Sequence, residues 1–329
     1  MTTTERDCIC DRFAPVTEAS ALAAAEWIGR GDGIAAALAA RRAMSEALAA
    51  MPISARVVAG RTASEPSDGL GVGDKTGTLT DGADTWDLVV KPLEAHAALA
   101  RGLDGALSMI AVGPSGSLMS VPEMYMQKIV VGGLGAHAID IDAPIGQNVH
   151  AVSAALGRRP QDLTVAVLDR PRHEDIIHEI KETGARLKLI DDGDVSAGIA
   201  AAVDDTGIDL CIGVGGSTEG IITAAAMRCL GGEIQARLWP VSRYQVEAVK
   251  TMGINDLEAT LTSEDMAGEG VLVVGTAVTR GRFLRGIERR SDGTRTESIL
   301  MCSRCHRIKL VRTIHRTPGV TSPVALWTL

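Results

Sequence analysis

The chain has 329 residues, of which 46% are hydrophobic and 22% charged, with a net charge of −8 at pH 7. That apolar share is enough for one large layered domain or two modest ones. The acidic balance leaves no basic surface to follow a nucleic-acid backbone or an anionic membrane, and with two Phe and two Tyr the chain lacks the aromatic platforms on which single strands stack.

No apolar run approaches the roughly 20 residues that a membrane-spanning helix needs. The opening MTTTERDCICDRF is polar rather than signal-like, so a cytoplasmic location and six reduced thiols are expected.

From Thr17 to Met51 the sequence is Ala- and Leu-rich and favours helix. Glycines at Gly29, Gly31 and Gly33 break the pattern, which predicts two helices joined by a tight turn. Ala55–Ala59, Trp86–Val90 and Ala106–Val112 read as strands of one sheet. Between the first two, the Gly-, Ser-, Thr- and Asp-rich stretch from Gly60 to Gly82 suits an exposed loop over a site.

The second half alternates strand and helix. Leu163–Leu168 (LTVAVL), Arg186–Ile190 and Asp209–Val214 are strand-like, and Glu174–Glu182, Val195–Val203 and Glu219–Leu230 helix-like. This is a three-layer α/β pattern. The stretch from Gly270 to His315 returns to strand-like runs that close a sheet. The halves divide as 13–160 and 161–315, with tails at 1–12 and 316–329.

Three clusters fall where ligands bind in α/β sheets, outside the carboxyl ends of strands. Arg170-Pro171-Arg172-His173 follows LTVAVL, and its arginines suit phosphate oxygens. Asp192-Gly193-Asp194 follows the next strand and suits sugar hydroxyls, the competing reading being helix capping. Gly215-Gly216-Ser217-Thr218 opens a helix where backbone N–H groups favour an anion, the competing reading being a plain tight connection. The Glu174–Glu182 helix, taken with His173, His178 and Glu182, reads as a solvated face.

Cys302-Ser303-Arg304-Cys305-His306 matches a haem-attachment string, but that chemistry belongs to exported proteins. Cys8 and Cys10, with Cys302 and Cys305, supply four thiolates for zinc only if the chain ends meet. The C-x-C spacing is unusual, which favours reduced spectator cysteines.

These blocks in order make the resemblance specific. Phe13–Ala19 (FAPVTEA), Trp27–Asp32 (WIGRGD), Pro122–Lys128 (PEMYMQK), Arg170–His173, Asp192–Asp194 and Gly215–Gly220 together resemble the class II fructose-1,6-bisphosphatases, metal-dependent sugar phosphatases of the inositol-monophosphatase-like type. The resemblance spans about Phe13 to about His315. It implies a layered α-β-α-β-α sandwich, a small-molecule sugar phosphate as partner, and a homodimer or homotetramer.

By position, the family's phosphate and sugar contacts fall on Tyr125, Arg170, Arg172, Asp192, Gly193, Asp194 and Gly216, although the family often has Lys at position 170. Its Mg²⁺ or Mn²⁺ ligands fall on Asp32, Arg61, Lys91, Glu94 and Glu219, two of which are cations here. Arg and Lys offer no lone pair to a metal, so only Asp32, Glu94 and Glu219 remain as ligands and no cofactor is certain. The threonine thought to orient the attacking water is His96.

Replacing Glu by Arg and Asp by Lys shifts the local charge by about four units, close to that of two divalent ions. Three readings stand: a weak or rerouted phosphatase, a metal-independent isomerase, epimerase or lyase using Lys91, Glu94 or His96 as imine former and proton carriers, and a non-catalytic sensor. Arg61, Lys91, Glu94 and His96 are the candidate catalytic set. The bland alternative has Arg61 and Lys91 neutralising the surviving carboxylates.

Overall fold

A computed structural model of the chain describes residues 8–61, 69–79 and 85–316. Parts of the expected Gly60–Gly82 loop and of both tails lie outside these residues.

The strands are β1 Ala55–Gly60, β2 Lys75–Thr76, β3 Trp86–Glu94, β4 Leu107–Pro114, β5 Val121–Pro122, β6 Tyr125–Val131, β7 Thr164–Leu168, β8 Arg186–Ile190, β9 Leu210–Gly216, β10 Glu233–Trp239, β11 Leu261–Thr262, β12 Leu272–Ala277, β13 Glu288–Arg290, β14 Gly293–Cys302 and β15 Arg307–Arg316. The helices are α1 Ala14–Ala25, α2 Gly33–Ala49, α3 His96–Ala100, α4 Ile145–Ala155, α5 Glu174–Glu182, α6 Asp194–Ala200, α7 Ser217–Leu230, α8 Arg243–Thr251 and α9 Ser263–Met266. The two expected N-terminal helices are α1 and α2, with Gly29 and Gly31 at positive φ in the turn between them.

Two mixed sheets result. One has the order β13-β14-β12-β4-β3-β1-β2, with β15 paired to β14 and β5 to β1; the other runs β11-β10-β6-β9-β7-β8. Sheet membership crosses residue 160 in both directions: β6 lies in the second sheet, and β12 to β15 complete the first.

Helix α7 lies between the sheets, touching β1, β3, β4, β12 and β14 of one and β6, β9 and β10 of the other. Its sequence explains this position, because from Gly220 to Met227 Thr223 is the single polar residue, and a helix stretch apolar nearly all round must be covered nearly all round. Gly231 ends it in the left-handed conformation. Helix α6 packs beside α7, α1 and α2 cover the outer face of the first sheet, and α4 and α5 pack with the far side of the second. The layers are α-β-α-β-α, as expected.

The long β14–β15 hairpin closes one side of the first sheet. Burial alternates along the first part of β15, whose exposed positions are Ile308, Leu310, Arg312 and Arg316; the two arginines are charges that discourage another strand from adding to this edge.

Candidate active site

Strands β7, β8 and β9 run parallel, so the loops after them emerge on one side. This brings together the clusters after LTVAVL, after the next strand and at the start of α7. Arg172 donates to the Val214 carbonyl from Nη2 at 2.7 Å and Nε at 3.2 Å, and its guanidinium lies 4.9 Å from the centre of the Tyr125 ring. Tyr125 is paired across the sheet with Gly216. Tyr125, Arg172 and Gly216 therefore form one exposed face, with Arg170 alongside, its Nη1 bonded to the Asp169 carbonyl at 2.8 Å.

His173 departs from the solvated face expected of it. It is fully buried; Nδ1 donates to the Leu168 carbonyl at 2.7 Å, and Nε2 accepts from the Val214 N–H at 2.9 Å. Burial and the neighbouring arginines hold its pKa below the usual range. A neutral imidazole bonded this way ties β7 to β9 and fixes the Arg172 loop. His178 and Glu182 do form an exposed pair.

Asp192 accepts from the Gly193 N–H at 3.0 Å. Asp192 and Gly193 line a cavity of about 480 Å³ with Asp191, Arg280 and Arg282. Asp194 faces the other way, onto the Lys128 ammonium, which also donates to the Gly216 carbonyl at 3.1 Å. A Cβ on Gly215 would lie 1.9 Å from Asp194 Oδ2 and 2.8 Å from Lys128 Nζ, so any side chain there would displace this ion pair.

Behind this face lie two buried carboxylates, each at a helix start. Glu94 accepts from the Val195 N–H of α6 at 2.9 Å, and its other oxygen has no partner. Burial, with the Asp194 charge beside it, pushes the Glu94 carboxyl up to about 8. Glu219 folds back over the start of α7, so that a Cβ on Gly216 would meet its Oε2 at 2.0 Å. The helix's own carboxylate therefore lies against this turn.

Lys91 ion-pairs with Glu219 Oε1. Burial opposes its charge, but Glu219, Glu94 and Glu123 outweigh that and hold the ammonium well above its ordinary range. Although burial raises it, the Glu219 carboxyl ends below its usual range because Lys91 and Lys128 face it. Arg61, Lys91 and His96 line a second cavity, of about 330 Å³, with Arg41, Glu123 and Thr218. Gly33 packs tightly on His96.

Asp32 serves as the N-cap of α2, accepting from the Ala35 N–H at 2.9 Å. The unpartnered oxygens of Glu94 and Glu219 are competent metal donors. Among the described residues, this donor set does not fit a Mg²⁺ or Mn²⁺ pair, because such ions need several oxygens each and the Lys91 ammonium already pairs with Glu219.

Sequence reading missed Lys128, Glu123, Arg280 and Arg282. For Lys128 a signal existed: it shares a strand face with Met126 and Val130, both buried, and a cation on a buried face requires a partner.

A layered α/β fold with arginines, an aromatic ring and short carboxylates at one strand-end face has the chemistry to take a phosphorylated polyol. The bacterial fructose-1,6-bisphosphatase family, glpX-encoded, matches residues 8–315, and the chain belongs to that family. It is 35% identical to a D-fructose 1,6-bisphosphatase class 2/sedoheptulose 1,7-bisphosphatase of Synechococcus sp. (strain JA-2-3B'a(2-13)), covering 92% of this chain and 94% of the relative. A fructose-1,6-bisphosphatase class 2 of Haemophilus influenzae is 34% identical over the same shares. No helix among the described residues is long and apolar enough to cross a membrane.

Proposed function

We propose that this chain is a sugar-phosphate enzyme that takes a ketose bisphosphate, with fructose 1,6-bisphosphate and sedoheptulose 1,7-bisphosphate as first candidates. One phosphate meets Arg170, Arg172 and Tyr125; the sugar hydroxyls meet Asp192 and its turn. The other phosphate meets the cations at Arg61 and Lys91, with His96 beside them. Hydrolysis is slow and does not respond to divalent metal.

The observation that carries this reading is the Lys91–Glu219 ion pair. A lysine held charged supplies electrostatic stabilisation to a phosphoryl group, but it cannot generate a metal-bound hydroxide. The same charge disfavours the free amine that imine chemistry requires, which places the isomerase or lyase reading second.

Phosphate release from fructose 1,6-bisphosphate is therefore expected to be weak and unchanged by Mn²⁺, Mg²⁺ or EDTA. Fast release abolished by chelator would overturn this. The double variant Arg61→Glu/Lys91→Asp, which restores carboxylates at both positions, should make release Mn²⁺-dependent.

Binding is tested separately. Calorimetric titration with ketose and polyol phosphates should find a ligand whose affinity Arg172→Ala lowers at least about tenfold, or ~1.4 kcal/mol. Because Arg172 also holds Val214, an unchanged melting temperature is the control. A panel without any binder would reject the site.

A further inference from the structure

The start of the described chain meets the turn between β14 and β15. Cys8 and Cys10 flank the entry to a short 3-10 helix, Ile9–Phe13, while Cys302 ends β14 and Cys305 lies in the tight turn leading to β15. All four sulfurs lie within 4.8 Å of one another. Cys8 Sγ is 3.6 Å from Cys302 Sγ, and Cys10 Sγ is 3.9 Å from Cys305 Sγ, across sequence separations of 294 and 295.

That spacing has a specific meaning. Zinc–thiolate bonds of about 2.3 Å in a tetrahedron put sulfurs about 3.8 Å apart, whereas an iron–sulfur cluster spreads its cysteines over several irons and needs a wider cage. Four thiols facing one point without a cation gain only weak S–H contacts. We infer that Cys8, Cys10, Cys302 and Cys305 form a closed, structural four-thiolate zinc site that fastens the start of the chain to the β14–β15 hairpin.

The surroundings match such a site. The Cys10 N–H donates to the Cys8 sulfur, and the Cys305 N–H to that of Cys302, the kind of outer contact that orients metal thiolates. Cys10, Cys302 and Cys305 are buried in one apolar cluster with Ile9, Phe13, Leu272 and Leu300. That cluster excludes water and leaves no open coordination position, so the site is structural rather than catalytic. The turn reverses the chain through His306 at φ 52°, letting Cys302 and Cys305 face the same point. On binding, the four thiols release four protons to solvent and the ion takes four sulfur lone pairs; no oxidant is involved.

The test uses the full chain purified under reductant. Elemental analysis should find about one zinc per chain, retained through an EDTA wash that removes loosely held ions. Cobalt(II) replacing it should give the strong thiolate-to-cobalt absorption of tetrahedral sulfur coordination. Cys8→Ser, at a half-buried position, and Cys302→Ser should each lower metal affinity at least about 100-fold and lower the melting temperature. If Cys302→Ser does not fold, Cys8→Ser and the cobalt spectrum still decide. Three results would overturn the inference: folded, reduced protein that takes neither ion through sulfur; visible iron absorption; or Cys8–Cys302 and Cys10–Cys305 disulfides in protein alkylated at lysis.

Discussion

Lys91→Met is expected to destabilise the protein by about 3 kcal/mol, because it takes from the buried Glu219 carboxylate its direct ion-pair partner and leaves only Lys128, already paired with Asp194, as an opposing charge. Breaking a buried pair by removing one partner costs roughly 3–5 kcal/mol. The lower end applies here, since the Lys91 side chain keeps 25% of its exposure against 11% for Glu219. Urea denaturation at pH 7 measures the loss. Lys91→Met/Glu219→Gln, which removes both charges, should recover most of it. Without Lys91, Glu219 gains a raised folded-state pKa, so the single variant should regain stability as the pH is lowered toward 5. A loss below about 1 kcal/mol would mean that the pair does not hold this part of the fold.

The second large effect is a pH dependence carried by Glu94. Its carboxyl moves from the ordinary 4.5 up to about 8, through burial first and the Asp194 charge second. Between those values the folded chain keeps a proton that the unfolded chain releases. The contribution to stability is therefore fully present below about 4.5 and is lost as the pH rises toward about 8. Glu94→Gln keeps an oxygen to accept from the Val195 N–H but cannot ionise. The wild-type protein should lose stability between pH 5 and 8, and the variant should lose roughly 1–3 kcal/mol less over the same interval. Parallel urea profiles for the two proteins would show that Glu94 does not carry this proton.

Much of this arrangement could be read from the residues. Helix α5 and strand β8 fall on their expected limits, because clear apolar periodicity is bounded by Gly184 and by the Asp191-Asp192 turn. The three strand-end clusters also converge as parallel strands require. Strand β10 is hard to read from the sequence although its burial alternates at Ile234, Ala236 and Leu238, because a small Ala between Gln235 and Arg237 weakens the period-two signal. His173 differs from its expected solvated position for another reason: its ring turns inward toward a carbonyl five residues back and an N–H on another strand, contacts that no local pattern encodes. The ion pairs of Lys91 and Lys128 likewise join residues 128 and 66 positions apart. For Lys128 the strand pattern called for a partner without saying which.

The sheet that β12 to β15 complete also sets a timetable for synthesis. As the chain leaves the ribosome, β1, β3 and β4 emerge well before their last neighbour, and β4 is buried along nearly its whole length only once β12 pairs with it. At about 5–20 residues per second, the more than 150 residues between β4 and β12 keep that strand edge open for roughly 8–30 seconds. During that interval the nascent chain offers an apolar strand to any other strand nearby. A chain released before residue 272 would keep that edge permanently, so truncated products of this protein should be captured by chaperones or aggregate rather than persist as a folded N-terminal half.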